Sequence, residues 1–178
     1  MSSPEPYRVS RLAAAAALAL GLAACFRPLY GPTASGVPLQ GELAAIDVDE
    51  VTVAPAFERF SHYLRSEVVF NLNGSGVPAT KRYKLGLAFT SRLDMPIVDT
   101  ASGRAQSATL VGDVAYTLAT LDGSKVITSG KVQGSASYDR NVQRFATVRA
   151  ARDAEIRLAK LLADQIRTRV AIAVSNRV

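Results

Sequence analysis

The chain has one cysteine and one histidine among its 178 residues. Cys25 alone cannot close an intramolecular disulfide. With His62 as the only nitrogen partner, it cannot complete a Cys/His zinc site either, so packing must supply the stability. No Gly-rich phosphate loop follows a strand-like run, no two histidines stand at metal-ligand spacing, there is no Gly-x-Ser-x-Gly elbow, and no segment repeats. His62 falls in a helix-like run without identifiable serine and aspartate partners for a catalytic triad. Asp47, Asp49 and Glu50 cluster at a strand-like run, where acidic residues ordinarily face water. These absences argue against an enzyme and against a bound metal or cofactor, and they leave no catalytic residue to name.

What is present is apolar material, 48% of the chain, enough for the core of one ordinary domain. The first part of it reads as an export signal. Arg8 and Arg11 form a short positive region, Leu12 to Ala24 is uncharged and apolar, and small Ala23 and Ala24 precede Cys25. As a helix this run would span about 20 Å, short of the roughly 30 Å hydrocarbon core of a bilayer. It is therefore read as a cleaved segment, residues 1–24, and not as a transmembrane span. Leu22-Ala23-Ala24-Cys25 resembles a bacterial lipobox, in which cleavage occurs before the cysteine and the thiol and new amino terminus are acylated. Several acyl chains give the stable anchoring that one chain does not. Phe26 stands where inner-membrane lipoproteins often carry aspartate, which favours outer-membrane delivery.

Cleavage removes Glu5, Arg8 and Arg11, so the formal net charge falls from +6 to +5. That modest basicity favours anionic partners such as acidic lipid or phosphorylated glycolipid, and export disfavours nucleic acid. From Phe26 to about residue 43, Pro28, Gly31, Pro32, Gly36, Pro38 and Gly41 punctuate the chain too densely for a regular element. Residues 25–43 are read as a lipidated tether, and residues 44–178 as one domain.

Within that domain Ile46, Val48, Val51 and Val53 predict a strand that Ala54-Pro55 ends. Phe57, Phe60, Leu64, Val68 and Leu72 fall on one face of a helix stopped by Asn73-Gly74-Ser75-Gly76. Three alternating runs follow: Tyr83, Leu85, Leu87 and Phe89; Leu110, Val114, Tyr116 and Leu118; Val126, Thr128 and Val132. Arg82, Lys84, Thr109, Asp113, Thr117, Lys125, Lys131 and Gln133 occupy their polar face. Leu121-Asp122-Gly123-Ser124 predicts a hairpin between the last two strands. Val142 to Val174 predicts one long helix with an apolar stripe at Ala151, Ala154, Leu158, Leu161, Leu162, Ile166, Val170 and Val174. The order is β-α-β-β-β-α. It predicts an α+β fold in which two helices cover one face of a four-stranded sheet, mixed if the first strand, helix and second strand form a crossover.

Both ends of the mature chain resemble the LptE family of lipopolysaccharide-assembly lipoproteins, especially its alphaproteobacterial versions. Cys25-Phe26-Arg27-Pro28-Leu29-Tyr30-Gly31 is similar to the family's mature start, with one glycine fewer after the cysteine. Phe145-Ala146-Thr147-Val148-Arg149-Ala150-Ala151-Arg152-Asp153-Ala154, continued by Leu161 to Arg169, is similar to its terminal helix. The resemblance implies a non-enzymatic outer-membrane lipoprotein, anchored through Cys25, whose domain faces the periplasm and the lumen of an LptD-type β-barrel. It also implies a role in assembling that barrel and delivering lipopolysaccharide to the outer leaflet. The resemblance further implies lipopolysaccharide binding by basic residues in loops near one end of the sheet, and here the candidates are Arg92 and Arg140 by location, then Arg82, Lys84 and Lys131. Two other readings stay open: a lipid-binding accessory lipoprotein of another envelope transport system, and an envelope hydrolase using one of the carboxylates.

Overall fold

Alternation of apolar and polar residues builds four strands, and the computed structural model orders them β1-β2-β3-β4. It describes residues 38–74, 76, 78–95, 105–140 and 142–176; the export signal, Cys25 and most of the tether lie outside the described residues. The strands are β1 (Ile46–Thr52), β2 (Tyr83–Asp94), β3 (Ser107–Thr120) and β4 (Val126–Asp139). β1 runs parallel to β2, and the other neighbours are antiparallel, so the sheet is mixed as predicted. Among the described residues three α-helices, not two, accompany it: α1 (Leu39–Ala44), α2 (Glu58–Leu72) and α3 (Arg144–Ser175).

The extra helix, α1, falls in the stretch read as too rich in proline and glycine for a regular element. Pro38 precedes it and Gly41 faces solvent, while Leu39 and Leu43, four residues apart, insert into the core. Its Glu42 is the one buried charged side chain among the described residues, 3% exposed. Arg82 Nη2 donates to Glu42 Oε1 and Tyr83 Oη to Oε2, so the carboxylate is paired as a buried charge must be. The guanidinium of Arg82 is held above its ordinary pKa by that hydrogen bond.

β1 shows how spacing dictates geometry. Ile46 and Val48 alternate toward the core, but the next apolar residue, Val51, is one position out of phase. A bulge between Val48 and Val51 absorbs the shift, exposing Glu50 and returning Val51 to the core opposite Leu87. Arg65 of α2 donates to the carbonyls of Val48 (3.0 Å) and Asp49 (3.3 Å) at this bulge. At the other edge, Gln165 and Arg157 of α3 donate to the carbonyls of Gln133 (3.1 Å) and Ser137 (2.9 Å) of β4. Both outer strands thus have carbonyls capped from a helix, which discourages edge-to-edge pairing.

The hairpin forms where Asp122-Gly123 predicts it, with Gly123 at φ 73°. Asp122 Oδ1 accepts from Thr120 Oγ1 (2.6 Å) and from Ser124 Oγ (2.9 Å) and N (3.2 Å), and these bonds hold its carboxyl below the usual value.

All three helices cover one sheet face. Leu85, Leu87 and Phe89 of β2, Val114, Tyr116 and Leu118 of β3, and Val132 and Ala136 of β4 meet Phe60, Leu64, Val68 and Leu72 of α2 and the stripe of α3. Phe60 stacks on Phe89 with centroids 4.0 Å apart. In α3, Ala154, Leu158, Leu162, Ile166, Val170 and Val174 are buried as predicted; Ala151 is half-buried and Leu161 is 41% exposed. Leu158 sits over Gly112 and Gly134, which are paired across β3 and β4. A Cβ at Gly112 would stand 2.8 Å from Phe89 Cε2 and 3.1 Å from Leu158 Cδ2, and one at Gly134 2.9 Å from Leu161 Cδ2. The two glycines are what let the helix approach the sheet this closely.

Candidate functional site

The sheet face away from the helices is mostly polar, with short side chains set among Arg92, Lys131 and Gln133. Across β2, β3 and β4 its rows read Ala88, Ala115 and Lys131, then Thr90, Asp113 and Gln133, then Arg92, Val111 and Ser135, then Asp94, Thr109 and Ser137. Gln133 Nε2 donates to Asp113 (2.8 Å), and the Thr109 and Ser137 hydroxyls lie 2.8 Å apart. Lys84 pairs with Asp49 at 3.2 Å.

The five basic candidates divide along this sheet. Arg82 stands just before β2 and is held by Glu42, and Lys84 is two residues further on. Lys131 is exposed midway along β4. Arg92 lies roughly 33 Å along the chain from Arg82 at the rise of an extended strand, near the far end of β2. Arg140 follows β4 at that same end: its backbone N donates to Gln106 O (2.8 Å), and its Nη1 lies 2.9 Å from Met95 Sδ beyond β2. The fold therefore gathers Arg92 and Arg140 at one end and leaves Arg82 and Lys84 at the other. Arg92 reaches only Asp94, at 3.3 Å with both side chains exposed, a surface pair of little strength.

This end also carries a feature that periodicity concealed. No residue from Arg144 to Asp153 of α3 is buried, so the first ten residues of the helix, about 15 Å, extend past the core. Val142 is 84% exposed, Phe145 76% and Val148 56%. Leu93 and Met95 are exposed at the neighbouring end of β2. Arg144, Arg149 and Arg152 are exposed among the helix residues, with the Arg149 guanidinium 5.9 Å from the Phe145 ring centre. The signal was in the spacing: Phe145 precedes Leu158 by thirteen residues, which at about 100° per residue turns it roughly 140° away from the buried stripe.

Charge on this end is unbalanced. Asp153 is neutralised by Arg157 at 2.7 Å, and among the described residues no carboxylate pairs with Arg144, Arg149 or Arg152. A cleft of about 320 Å³ between β4 and α3, lined by Ser137, Tyr138, Asp139, Ala150, Asp153 and Arg157, has two carboxylates in its wall. An anion meets a better field on the outward side, among the arginines.

Among the described residues, His62 and the carboxylates of β1 do not come together. Asp49 is occupied by Lys84, Asp47 and Glu50 face solvent, and His62 is exposed on α2 with Tyr63 as its aromatic neighbour. Among the described residues no group of three or more His, Cys, Asp or Glu side chains stands close enough to hold a metal, and no helix is long and apolar enough to cross a membrane.

The family model for LptE, lipopolysaccharide assembly, matches residues 43–170, which span the whole sheet, α2 and most of α3. The chain belongs to the LptE family. The match contains Arg92, Arg140, Phe145 and Val148, so the end described above is inside the family domain and not an appendage to it. No curated protein matches the chain. A minor lipoprotein from Acinetobacter baumannii shares the fold at 15% identity and a TM-score of 0.54, over 71% of this chain and 91% of that one. The rare lipoprotein B from Shewanella oneidensis does so at 15% identity and a TM-score of 0.52, over 73% and 98%. A structure from Caulobacter crescentus CB15 aligns at 21% identity and a TM-score of 0.59, over 79% and 97%. At these identities the likeness is one of fold: the mixed four-stranded sheet with its helices is the LptE-family architecture.

Proposed function

We propose that this chain is an outer-membrane lipoprotein, anchored by acylated Cys25, that associates with an LptD-type β-barrel and takes part in delivering lipopolysaccharide to the outer leaflet. Residues 1–24 are its export signal and the residues after Cys25 its tether. The role is structural and ligand-binding, not enzymatic. The observation that carries the reading is the placement of Arg92 and Arg140 toward the same end of a family-matched sheet. Their guanidinium groups are exposed there, and arginine recognises phosphate through two parallel hydrogen bonds, which suits the phosphates of lipid A. The polar open face suits the hydrophilic interior of a large barrel.

Capture of purified lipopolysaccharide by the mature protein tests the ligand assignment. Arg92→Glu and Arg140→Glu should each weaken capture several-fold and the pair should abolish it, while Arg82→Gln combined with Glu42→Gln should leave it near wild type. Undiminished capture by the Arg92→Glu/Arg140→Glu protein would refute the site.

A further inference from the structure

We propose that the projecting start of α3 is a second membrane contact, a cationic and apolar patch that seats on the surface of an anionic bilayer. The inference rests on the lipoprotein reading above, since an anchored chain is what keeps the patch beside a membrane. It is otherwise independent of the Arg92 and Arg140 assignment.

Three observations carry it. First, the segment is helical without contributing to the core: none of residues 144–153 is buried, whereas six stripe residues from Ala154 to Val174 are. Its outward face is therefore free of any packing duty. Second, Phe145 and Val148 project from that face, with Val142 just ahead of it, and these are among the most exposed large apolar side chains described. A row of this kind on a helix end removes apolar area from water only when something covers it. Third, the charges interleaved with the row have one sign. Arg149 and Arg152 lie on the same face as Phe145 by helical phase, Arg144 is adjacent, and Arg149 already packs over the Phe145 ring. Of the carboxylates around this segment, Asp153 is engaged by Arg157 and Glu155 by Arg59, while Asp139 lines the cleft beside Ala150, about 140° around the helix from Phe145.

That combination selects the partner. An uncharged apolar groove would leave the arginines desolvated without counter-charges, and an acidic protein surface would leave Phe145 and Val148 uncovered. An anionic bilayer interface satisfies both: aromatic and branched side chains enter the acyl boundary while arginines snorkel to headgroup phosphates. A polybasic, apolar patch is also the kind of second signal that adds to a lipid anchor.

The chain contains no tryptophan, so Phe145→Trp gives a unique fluorophore at the centre of the patch. The mature, lipidated Phe145→Trp protein is reconstituted into vesicles of phosphatidylcholine, or of phosphatidylcholine with phosphatidylglycerol, each carrying brominated acyl chains and no lipopolysaccharide. The expected result in the anionic vesicles is a blue-shifted emission quenched at least about twofold, largely reversed in about 1 M salt, where the screening length is only ~3 Å. Adding Arg149→Glu and Arg152→Glu, both at exposed positions, should abolish the quenching with unchanged circular dichroism. Water-like, unquenched emission in both vesicle types overturns the proposal. So does a response that appears only when lipopolysaccharide is added, an outcome that leaves the glycolipid reading standing. Conversely, loss of the Arg92 and Arg140 effect on lipopolysaccharide capture with quenching intact sinks that reading alone.

Discussion

Replacing Gly112 by alanine should destabilise the domain by about 1–2 kcal/mol, although alanine is ordinarily the better residue in a strand. The gain from removing glycine's freedom in the unfolded chain is about 0.4–1 kcal/mol. Against it stands an added methyl 2.8 Å from Phe89 Cε2 and 3.1 Å from Leu158 Cδ2, both fully packed neighbours. Phe89 cannot retreat, because its ring stacks on Phe60 at 4.0 Å and takes the edge of Phe57 at 5.9 Å. Overpacking of this kind costs about 1–3 kcal/mol, which outweighs the entropic gain. Urea denaturation of the mature protein followed by circular dichroism gives the value, with a fall in the midpoint at constant slope. Gly86→Ala is the control: its new Cβ meets only Thr117 O at 3.9 Å, so the substitution should be neutral or slightly stabilising. Leu158→Ala alone should cost about 2–5 kcal/mol. With Gly112→Ala added, part of the vacated space is filled, and the pair should cost less than the sum by about 0.5 kcal/mol or more. Additive costs, or a Gly112→Ala protein as stable as the Gly86→Ala control, would refute the claim that these glycines set the helix-to-sheet distance.

Other expectations follow from the same packing. Arg82→Ala strands the buried Glu42 carboxylate and should cost about 2–4 kcal/mol by denaturation, with part of the loss recovered when Glu42→Gln is added. Leu162→Asp buries an unpaired charge and should abolish folding, whereas Leu161→Asp one position earlier, where the side chain is half in water, should fold; circular dichroism distinguishes them. Asp122 has a depressed carboxyl pKa through its bonds to Thr120 and Ser124, so its contribution to the hairpin is complete above the ordinary value of 3.8 and is lost as pH falls below it. Amide exchange at Gly123 and Ser124 should accelerate in that acid range in the wild type and show no such step in Asp122→Asn. Cys25→Ala should release the protein from membranes while leaving its thermal midpoint unchanged, because the core formed by the described residues, Leu39 to Val174, is built without the thiol.

The parts of the fold that were legible in the sequence are those where one chain segment carries its own pattern. The alternation in β2 and β3, the Asp122-Gly123 hairpin and most of the α3 stripe appear where the residues predict them, and α2 ends at Leu72 before Asn73-Gly74. Val126, expected on the buried face of β4, is exposed instead, because a register shift opposite Leu118 and Ala119 turns Ile127 toward the core, and Leu161 lies at the open side of the stripe. α1 was not legible: six residues with Gly41 inside offer two apolar anchors, Leu39 and Leu43, too few to distinguish a turn of helix from a loop. Its clasp was equally hidden, because Glu42 and Arg82 are forty residues apart and an isolated glutamate reads as a surface group. Arg82 is consequently placed by that carboxylate, although its neighbourhood in sequence puts it on the polar sheet face. At the candidate site, Arg92 and Arg140 were legible as ends of strands, and the fold brings those ends together. The outward row of Phe145 and Val148 was not, since a stripe counted from Val142 to Val174 merges two helix faces that differ in phase.

The proposed translocon role is decided most directly by what the mature protein copurifies with. Affinity purification of the mature protein from detergent-solubilised outer membranes should recover a large β-barrel protein, stable to washing and absent from a control lipoprotein carrying the same tag. Reproducible failure to recover any barrel, with the protein instead copurifying with a periplasmic or inner-membrane complex, would contradict the translocon role and favour an accessory to another envelope lipid transporter.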